Sequence, residues 1–176
     1  MPTFLDYYIP YPGRGIVAAA SMQENEQVKV YDETSIDEII IDLLDQDLIV
    51  THERPYYNFR RAMAGYEHIL EQYHVKERWL DIFTEVRKAT DGKQIALSKL
   101  VKSTIGEEAD LSIRRLANSY GDPDYKPNLA DKVEDRLIAL KELYSYILKF
   151  NQVSYEQNGT VYWAEVIINE SPPLED

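Results

Sequence analysis

The sequence predicts an α+β fold: a mainly helical body with a small antiparallel sheet formed by N-terminal and C-terminal hairpins. Apolar residues recur at spacings of three and four through the middle of the chain, which is typical of amphipathic helices. Short apolar runs flank polar turns near both ends. Because a lone hairpin is marginal in water, we expect the two hairpins to meet in one sheet that helices cover on one side.

The hairpins are predicted at about 15–31 and 152–168. In the first, the runs from Ile16 to Ser21 and from Gln27 to Tyr31 flank a polar turn. In the second, Asn158-Gly159 separates two short runs rich in β-forming residues. An Asn-Gly pair favours the positive φ angles that a two-residue hairpin turn needs.

Helices are predicted to fill the chain between the hairpins, over about 54–150. Pro55 suits the first turn of a helix, and the apolar phase is lost at His74–Lys76, which predicts a kink or a second helix. Gly92 is a helix stop signal, and Gly106 interrupts the helical pattern that follows.

Three further segments complete the prediction of a single domain over 1–176. Pro10 and Pro12 argue against a central strand in the turn-rich stretch that contains them. Leu48-Ile49-Val50 is a candidate short strand. The cleanest amphipathic pattern is predicted to begin with Asn128 as its N-cap.

Composition limits the classes of protein to consider. The chain has 176 residues, no cysteine and a net charge of −12. Without cysteine there is no disulfide framework, which fits a reducing compartment. The N-terminal residues lack the basic and apolar regions of a signal peptide, and no apolar run approaches the ~20 residues that span a bilayer. We therefore expect a cytoplasmic protein without a membrane segment.

Charge is distributed unevenly along the chain. Residues 1–51 carry ten acids and two bases, and residues 121–176 carry eleven acids and five bases. Residues 52–120, in contrast, carry ten acids and twelve bases. Such asymmetry indicates a charged partner more than it indicates a fold.

The leading functional hypothesis is a non-enzymatic protein-binding factor: a small acidic regulator, an inhibitor or an assembly subunit. It rests on the acidic excess, on fourteen tyrosines and on the lack of a catalytic set. A homodimer is included, because regions of opposite charge could meet across two chains. A solvated helix face and core aromatics would explain the same residues. The predicted partner-binding residues are Asp37, Asp42, Asp45, Asp47, Tyr56, Tyr57, Arg60 and Arg61.

The alternative hypothesis is nucleic-acid binding by the basic middle segment. A helix-turn-helix with its turn at Ile105-Gly106 would present arginines on its second helix. A plain helical hairpin accounts for the same pattern, because acids occupy the start of that second helix. The residues predicted for nucleic-acid binding are Arg54, Lys99, Lys102, Arg114 and Arg115.

A third hypothesis comes from Arg61 and His68, which are separated by six residues. This spacing resembles the Arg-x4–6-His motif of the HEPN ribonucleases, which are helical and dimeric. The resemblance implies that the arginine supplies positive charge and the histidine transfers a proton during attack of a 2′-hydroxyl on phosphate. It requires both residues on one helix.

No metal or cofactor is predicted. Glu71 and His74 form a Glu-x-x-His string, which supplies ligands in di-iron bundles only together with a second copy. The sequence contains no second copy, and it has no phosphate-binding glycine loop.

Overall fold

The computed structural model describes residues 1–10, 14–23, 26–112 and 125–168, with 125–127 described by their backbone alone. These residues form two sheets and six helices. The strands are β1 (Pro2–Tyr8), β2 (Ala18–Gln23), β3 (Lys29–Asp32), β4 (Leu48–Thr51), β5 (Trp79–Asp81), β6 (Gln152–Gln157) and β7 (Thr160–Glu165). The helices are α1 (Glu38–Leu44), α2 (Tyr56–Ala62), α3 (Glu67–Gln72), α4 (Ile82–Ala89), α5 (Leu97–Ile105) and α6 (Tyr125–Phe150), with a 3-10 helix at Val75–Arg78.

The larger sheet is mixed and has the strand order β3-β2-β1-β4-β5. The pairs β1–β2 and β2–β3 are antiparallel, whereas β1–β4 and β4–β5 are parallel. Helices cover both faces: α1, α2 and α3 pack on one side, and α4, α5 and α6 pack on the other. The two faces have separate hydrophobic cores, and the sheet lies between them.

The predicted sheet is wrong, although both predicted hairpins form. The N-terminal hairpin becomes β2 and β3 of the five-stranded sheet, and the C-terminal hairpin becomes the separate pair β6–β7. The hairpins do not need each other, because β1 completes the first one and α5 packs against β6 of the second. The sheet is also mixed and covered on both faces, not antiparallel and covered on one.

Strand β1 is the central strand that the sequence analysis missed. The two prolines taken as evidence against a strand lie beyond its end at Tyr8. Six of its seven residues are buried, since helices cover both faces. A strand buried on two faces reads as a nearly continuous apolar run without polar alternation, so the usual period of two was not visible.

Strand β5 is the second correction. The segment around Trp79 was assigned to a helix because Val75, Trp79 and Ile82 have helical spacing. His74 instead adopts a left-handed conformation (φ 50°) that ends the helical segment. The three-residue strand that follows pairs in parallel with β4.

Several local predictions are confirmed. Pro55 precedes the first residue of α2, and the residues of Leu48-Ile49-Val50 lie in β4. Gly92 and Gly106 have positive φ after the ends of α4 and α5. The Asn158-Gly159 turn has φ of 52° and 75°, as the hairpin requires. Helix α6, however, begins at Tyr125, so Asn128 lies within its first turns and is not the N-cap.

Candidate functional site

A cleft of about 640 Å³ opens beyond the carboxyl ends of β1 and β4. From β1 the chain turns to β2 on one side, and from β4 it continues to β5 on the other. β1 and β4 are parallel neighbours, and open α/β sheets bind ligands in the crevice outside the carboxyl ends of such strands. Its walls include Tyr7, Tyr8, Ile9, Pro10, Glu53, Arg54, Asn58, Ala96, Leu97, Ser98, Lys99, Leu111, Ser112 and Arg136.

The floor of the cleft holds a buried charge cluster around Asp6. Arg136 of α6 donates from Nε to Asp6 Oδ2 at 2.7 Å, and its Nη1 donates to the carbonyl of Leu111 at 3.0 Å. Arg54 Nε lies 3.1 Å from Asp6 Oδ1, but its N–H donates to the carbonyl of Tyr7 at 2.7 Å. Two guanidinium groups thus face the carboxylate of Asp6, and the carboxylate of Asp81 also interacts electrostatically with Arg54.

The loop after β4 holds Arg54 in place through its backbone. Thr51 Oγ1 and Trp79 Nε1 both donate to the carbonyl of Arg54, at 3.0 and 2.8 Å. Asp81, the N-cap of α4, lies beside this loop and accepts from Thr84 Oγ1 at 3.0 Å. Burial raises the pKa of Asp81. Arg54 is therefore fixed by the end of β5 as well as by β4.

A third cation reaches the cleft from the opposite wall. Lys99 lies in the first turn of α5 and is exposed. Within the described ranges Lys99 forms no ion pair, whereas Lys102, one turn further on, contacts Glu108. Of the described side chains that line the cleft, Arg54, Lys99 and Arg136 are cationic and Glu53 is acidic.

His52 is buried beside this cluster, with 1% of its surface exposed. Its ring packs edge-on against Phe83 with centroids 5.6 Å apart, and neither ring nitrogen has a hydrogen-bond partner among the described residues. Burial lowers the pKa of His52 well below its usual range, and the positive charges of Arg136 and Arg54 lower it further. The imidazole is therefore neutral in the folded protein.

His52 makes stability depend on pH. Because the folded-state pKa is depressed, the unfolded chain binds a proton below about pH 6.5 that the folded chain excludes, and this costs about 1.4 kcal/mol per pH unit. Because the unfolded imidazole is only half protonated at pH 6.5, we expect His52→Leu to reduce the loss of unfolding free energy between pH 6.5 and 5.5 by about 1 kcal/mol. Urea denaturation at both pH values measures it. His68→Gln, at an exposed histidine, should leave the loss unchanged, and an equal loss in wild type and His52→Leu would contradict the expectation.

The predicted partner-binding acids lie on or beside α1, and two of them already have partners. Asp42 accepts from Lys29 Nζ at 2.6 Å, and Asp47 forms an ion pair with the N-terminal amine at 2.9 Å. Asp37 and Asp45 are exposed at the two ends of the helix. The acidic surface is therefore smaller than the sequence suggests.

The predicted partner-binding aromatic and arginine residues lie on α2. Tyr56 packs edge-on against Trp79 with centroids 5.6 Å apart, so it belongs partly to the core. Arg60 is paired with Glu71 at 2.6 Å. Tyr57 is 61% exposed, and the guanidinium of Arg61 lies 5.8 Å from its ring centroid. In the part of the chain that the structure describes, no hydrogen bond or ion pair joins these residues to the predicted acids.

The residues predicted for nucleic-acid binding are only partly brought together. Arg54 and Lys99 line the same cleft. Lys102 lies in an adjoining depression of about 450 Å³ whose other walls include Glu108 and Asp110. Arg114 and Arg115, with the second helix of the proposed helix-turn-helix, lie outside the described residues.

The geometry that the HEPN resemblance requires is absent. Arg61 lies on α2, which ends at Ala62, and His68 lies on α3, which begins at Glu67. Met63 and Gly65 form the turn between them, with Gly65 at φ 97°. The two residues do not share a helix, so we do not carry this hypothesis further.

Sequence reasoning missed Asp6, His52 and Arg136. For two of these residues, the sequence pattern indicates a charged side chain at a buried position. Asp6 is a lone acid inside an apolar run, and Arg136 falls among the apolar positions Val133, Leu137 and Leu140 of its helix. Charges at buried positions are usually paired with each other, so these two could have been matched.

Within residues 1–10, 14–23, 26–112 and 125–168, no three His, Asp or Glu side chains converge to hold a metal ion. None of the helices in that part of the chain combines the length and apolarity needed to cross a bilayer. No family model, curated protein or solved structure matches the chain.

Proposed function

We propose that this chain is a non-enzymatic binding protein whose cleft takes the phosphate groups of single-stranded nucleic acid. The observation that carries the proposal is the clustering of Arg54, Lys99 and Arg136 in a protein of net charge −12. An acidic surface repels phosphate, so binding requires a local reversal of sign. The cleft supplies one at a position where sheets of this kind commonly bind ligands.

The shape and the walls of the cleft favour a single strand. Its volume lies within the roughly 300–1,000 Å³ typical of small-ligand pockets, so it suits one or two nucleotides and not the side of a duplex. Ile9 and Pro10, which are partly exposed, give it apolar surface beside the cations. Proteins that bind single strands combine a positively charged groove with surfaces on which bases pack.

Binding without catalysis is supported by the state of the titratable groups. Arg136 and Arg54 each lie against one oxygen of Asp6, so this carboxylate acts as a charge partner. His52 is enclosed and neutral, without a hydrogen bond to relay a proton. Neither group is arranged as a general base, which must reach the proton that it removes.

We propose a cytoplasmic location on the absence of cysteine.

Lys99→Glu should weaken binding of a labelled single-stranded oligothymidylate about tenfold. It should also lower the slope of log affinity against log salt by about 0.7, the value for one lost phosphate contact on a single strand. Fluorescence anisotropy across a salt series measures both quantities. Competition by thymidine monophosphate separates recognition of one nucleotide from recognition of a strand.

Lys76→Glu is the matched control, because it makes the same change in net charge. Lys76 is exposed in the 3-10 helix that precedes β5, at the opposite end of the parallel strands from the cleft. Equal weakening by both variants would mean that only the overall charge matters. Absence of binding by the wild type at low salt would end the proposal.

The protein-binding hypothesis is retained as a second candidate. It is favoured by the exposed Tyr57 with Arg61 beside it, since tyrosine and arginine are enriched at interface hot spots. The partner would be a protein that fits α2 and the neighbouring acidic ends of α1. Capture of a specific protein by the wild type and its loss with Tyr57→Ala would support this candidate, and equal capture by both would argue against it.

A further inference from the structure

The edges of the two sheets are protected to different degrees. An unprotected edge presents free N–H and C=O groups that recruit another strand, so proteins shorten such edges, charge them or cover them. In the five-stranded sheet, the edge strand β5 has three residues, and the edge strand β3 has four and carries Lys29. Both edges are therefore poor templates for a further strand.

In the two-stranded sheet, α5 covers the edge of β6. Thr104 Oγ1 accepts from the N–H of Ser154 at 3.0 Å and donates to its carbonyl at 3.1 Å. Ser154 Oγ also donates to the carbonyl of Ser103 at 2.6 Å. The side chains of α5 thus take the place of a neighbouring strand along this edge.

Strand β7 is less protected, although helix α4 contacts it and it carries one acid, Glu165. It has six residues without lysine or proline, and in the described chain it pairs with β6 alone. Gln157 and Thr160 close the two-residue turn, so the alternation of an antiparallel ladder directs the N–H and C=O of Val161 and Trp163 to the free edge. Val161 and Trp163 are also 54% and 56% exposed.

We propose that β7 pairs with β7 of a second copy of this chain, antiparallel and about a two-fold axis. An antiparallel edge can pair with itself, which is how a two-fold dimer uses one surface twice. With Tyr162 opposite its own copy, Val161 lies opposite Trp163 of the second copy, and the pair occurs twice. Aromatic and β-branched residues opposite each other stabilise antiparallel strands.

The proposed register keeps the acids of the two copies apart. Two copies of net charge −12 repel each other, so their contact must be poor in acids. Glu165 is the one acid of β7, and this register places it opposite Gly159 of the second copy. No like charges are therefore opposed along the paired strands.

The exposed apolar area sets an upper limit on the contact between two copies. Val161, Tyr162, Trp163 and Ile167 are each 45–60% exposed. Because aromatic side chains bury about 150–250 Å² each, this exposure amounts to roughly 400 Å² per copy. Successive side chains lie on opposite faces of the strand, so two copies with their paired backbone edges bury at most about 1,000 Å², the size of a weak interface.

Sedimentation velocity over low to high micromolar concentration tests the proposal, which is independent of the cleft. We expect the wild type to pass from monomer to dimer and Val161→Lys to remain a monomer throughout. Moderate salt should strengthen the dimer, because it screens the repulsion between two acidic copies. Added salt should instead weaken the binding of nucleic acid in the cleft.

Val30→Lys is the control, since it places the same substitution at a 41% exposed valine on the edge strand β3. It should dimerise as the wild type does. Should Val161→Lys fail to fold by circular dichroism, Trp163→Thr carries the same expectation. A wild type that stays monomeric, a β7 variant that dimerises normally, or loss of the dimer in Val30→Lys overturns the proposal.

Discussion

Arg136→Met should lower the free energy of unfolding by about 3 kcal/mol, because it leaves a buried carboxylate without its hydrogen-bonded partner. Asp6 and Arg136 are 2% and 6% exposed, and the bond between them is 2.7 Å long. Arg54 remains near the carboxylate, but its N–H donates to a carbonyl, so it compensates for charge more than for hydrogen bonding. Urea denaturation at neutral pH measures the change.

The double variant Asp6→Leu/Arg136→Met separates the interaction energy of the pair from the contributions of each residue's other contacts. Replacing both members of a buried ion pair by apolar residues is often nearly neutral, so we expect the double variant to recover most of the loss. The interaction energy of the cycle should then be about 2 kcal/mol or more. Additive single effects, or a loss below about 0.5 kcal/mol in Arg136→Met, would contradict the description of this cluster.

Leu137→Ala should cost about 3 kcal/mol, within the range for removing a fully buried leucine side chain. Leu137 has no exposed surface and lies on the face of α6 that packs against β1, β2 and α5. The substitution leaves a cavity where the longest helix meets the centre of the sheet. The same urea measurement reports it.

Ile138→Ala is the matched control one residue further along α6, at a side chain that is 42% exposed. It should cost much less, since most of the removed surface is already in contact with water. If the two variants lost similar amounts of unfolding free energy, the face of α6 that packs on the sheet would not be the one that its apolar spacing predicts.

The sequence predicted those elements whose own residues carry a turn motif or a regular apolar spacing. The C-terminal hairpin follows from Asn158-Gly159, and the apolar face of α6 follows from the spacing of Val133, Leu137 and Leu140. Each of these needs information from only a few neighbouring residues. The assembly of the sheet needs more, because β1, β4 and β5 are parallel and are joined through distant segments.

The missed strands show why the sheet was not predicted. Burial of β1 on two faces removed the alternation that marks a half-buried strand. In β5, Trp79 and Ile82 happen to have helical spacing, and three residues are too few to reveal another period. Without β1 the N-terminal hairpin lacked a neighbour, so pairing it with the other hairpin was the remaining solution.

The candidate site was predicted in part. Arg54 and Lys99 were identified because basic residues concentrate in the middle of the chain. Asp6 and Arg136 are 130 residues apart, and only the folded sheet with α6 across it brings them together. The acidic residues on or beside α1 were predicted to bind a partner because they are numerous. Two of them are neutralised, one by Lys29 and one by the N-terminal amine.

Amide resonance mapping of ¹⁵N-labelled protein, titrated at low salt with a single-stranded oligothymidylate, tests the central claim most directly. Binding in the cleft predicts saturable shifts at Tyr7–Ile9, at Glu53–Arg54 and at Ala96–Lys99, which line it from three elements. The exposed ends of α1 should not respond. Shifts confined to α1, α2 or β7, or no shifts at all, would contradict the claim that this cleft binds phosphate.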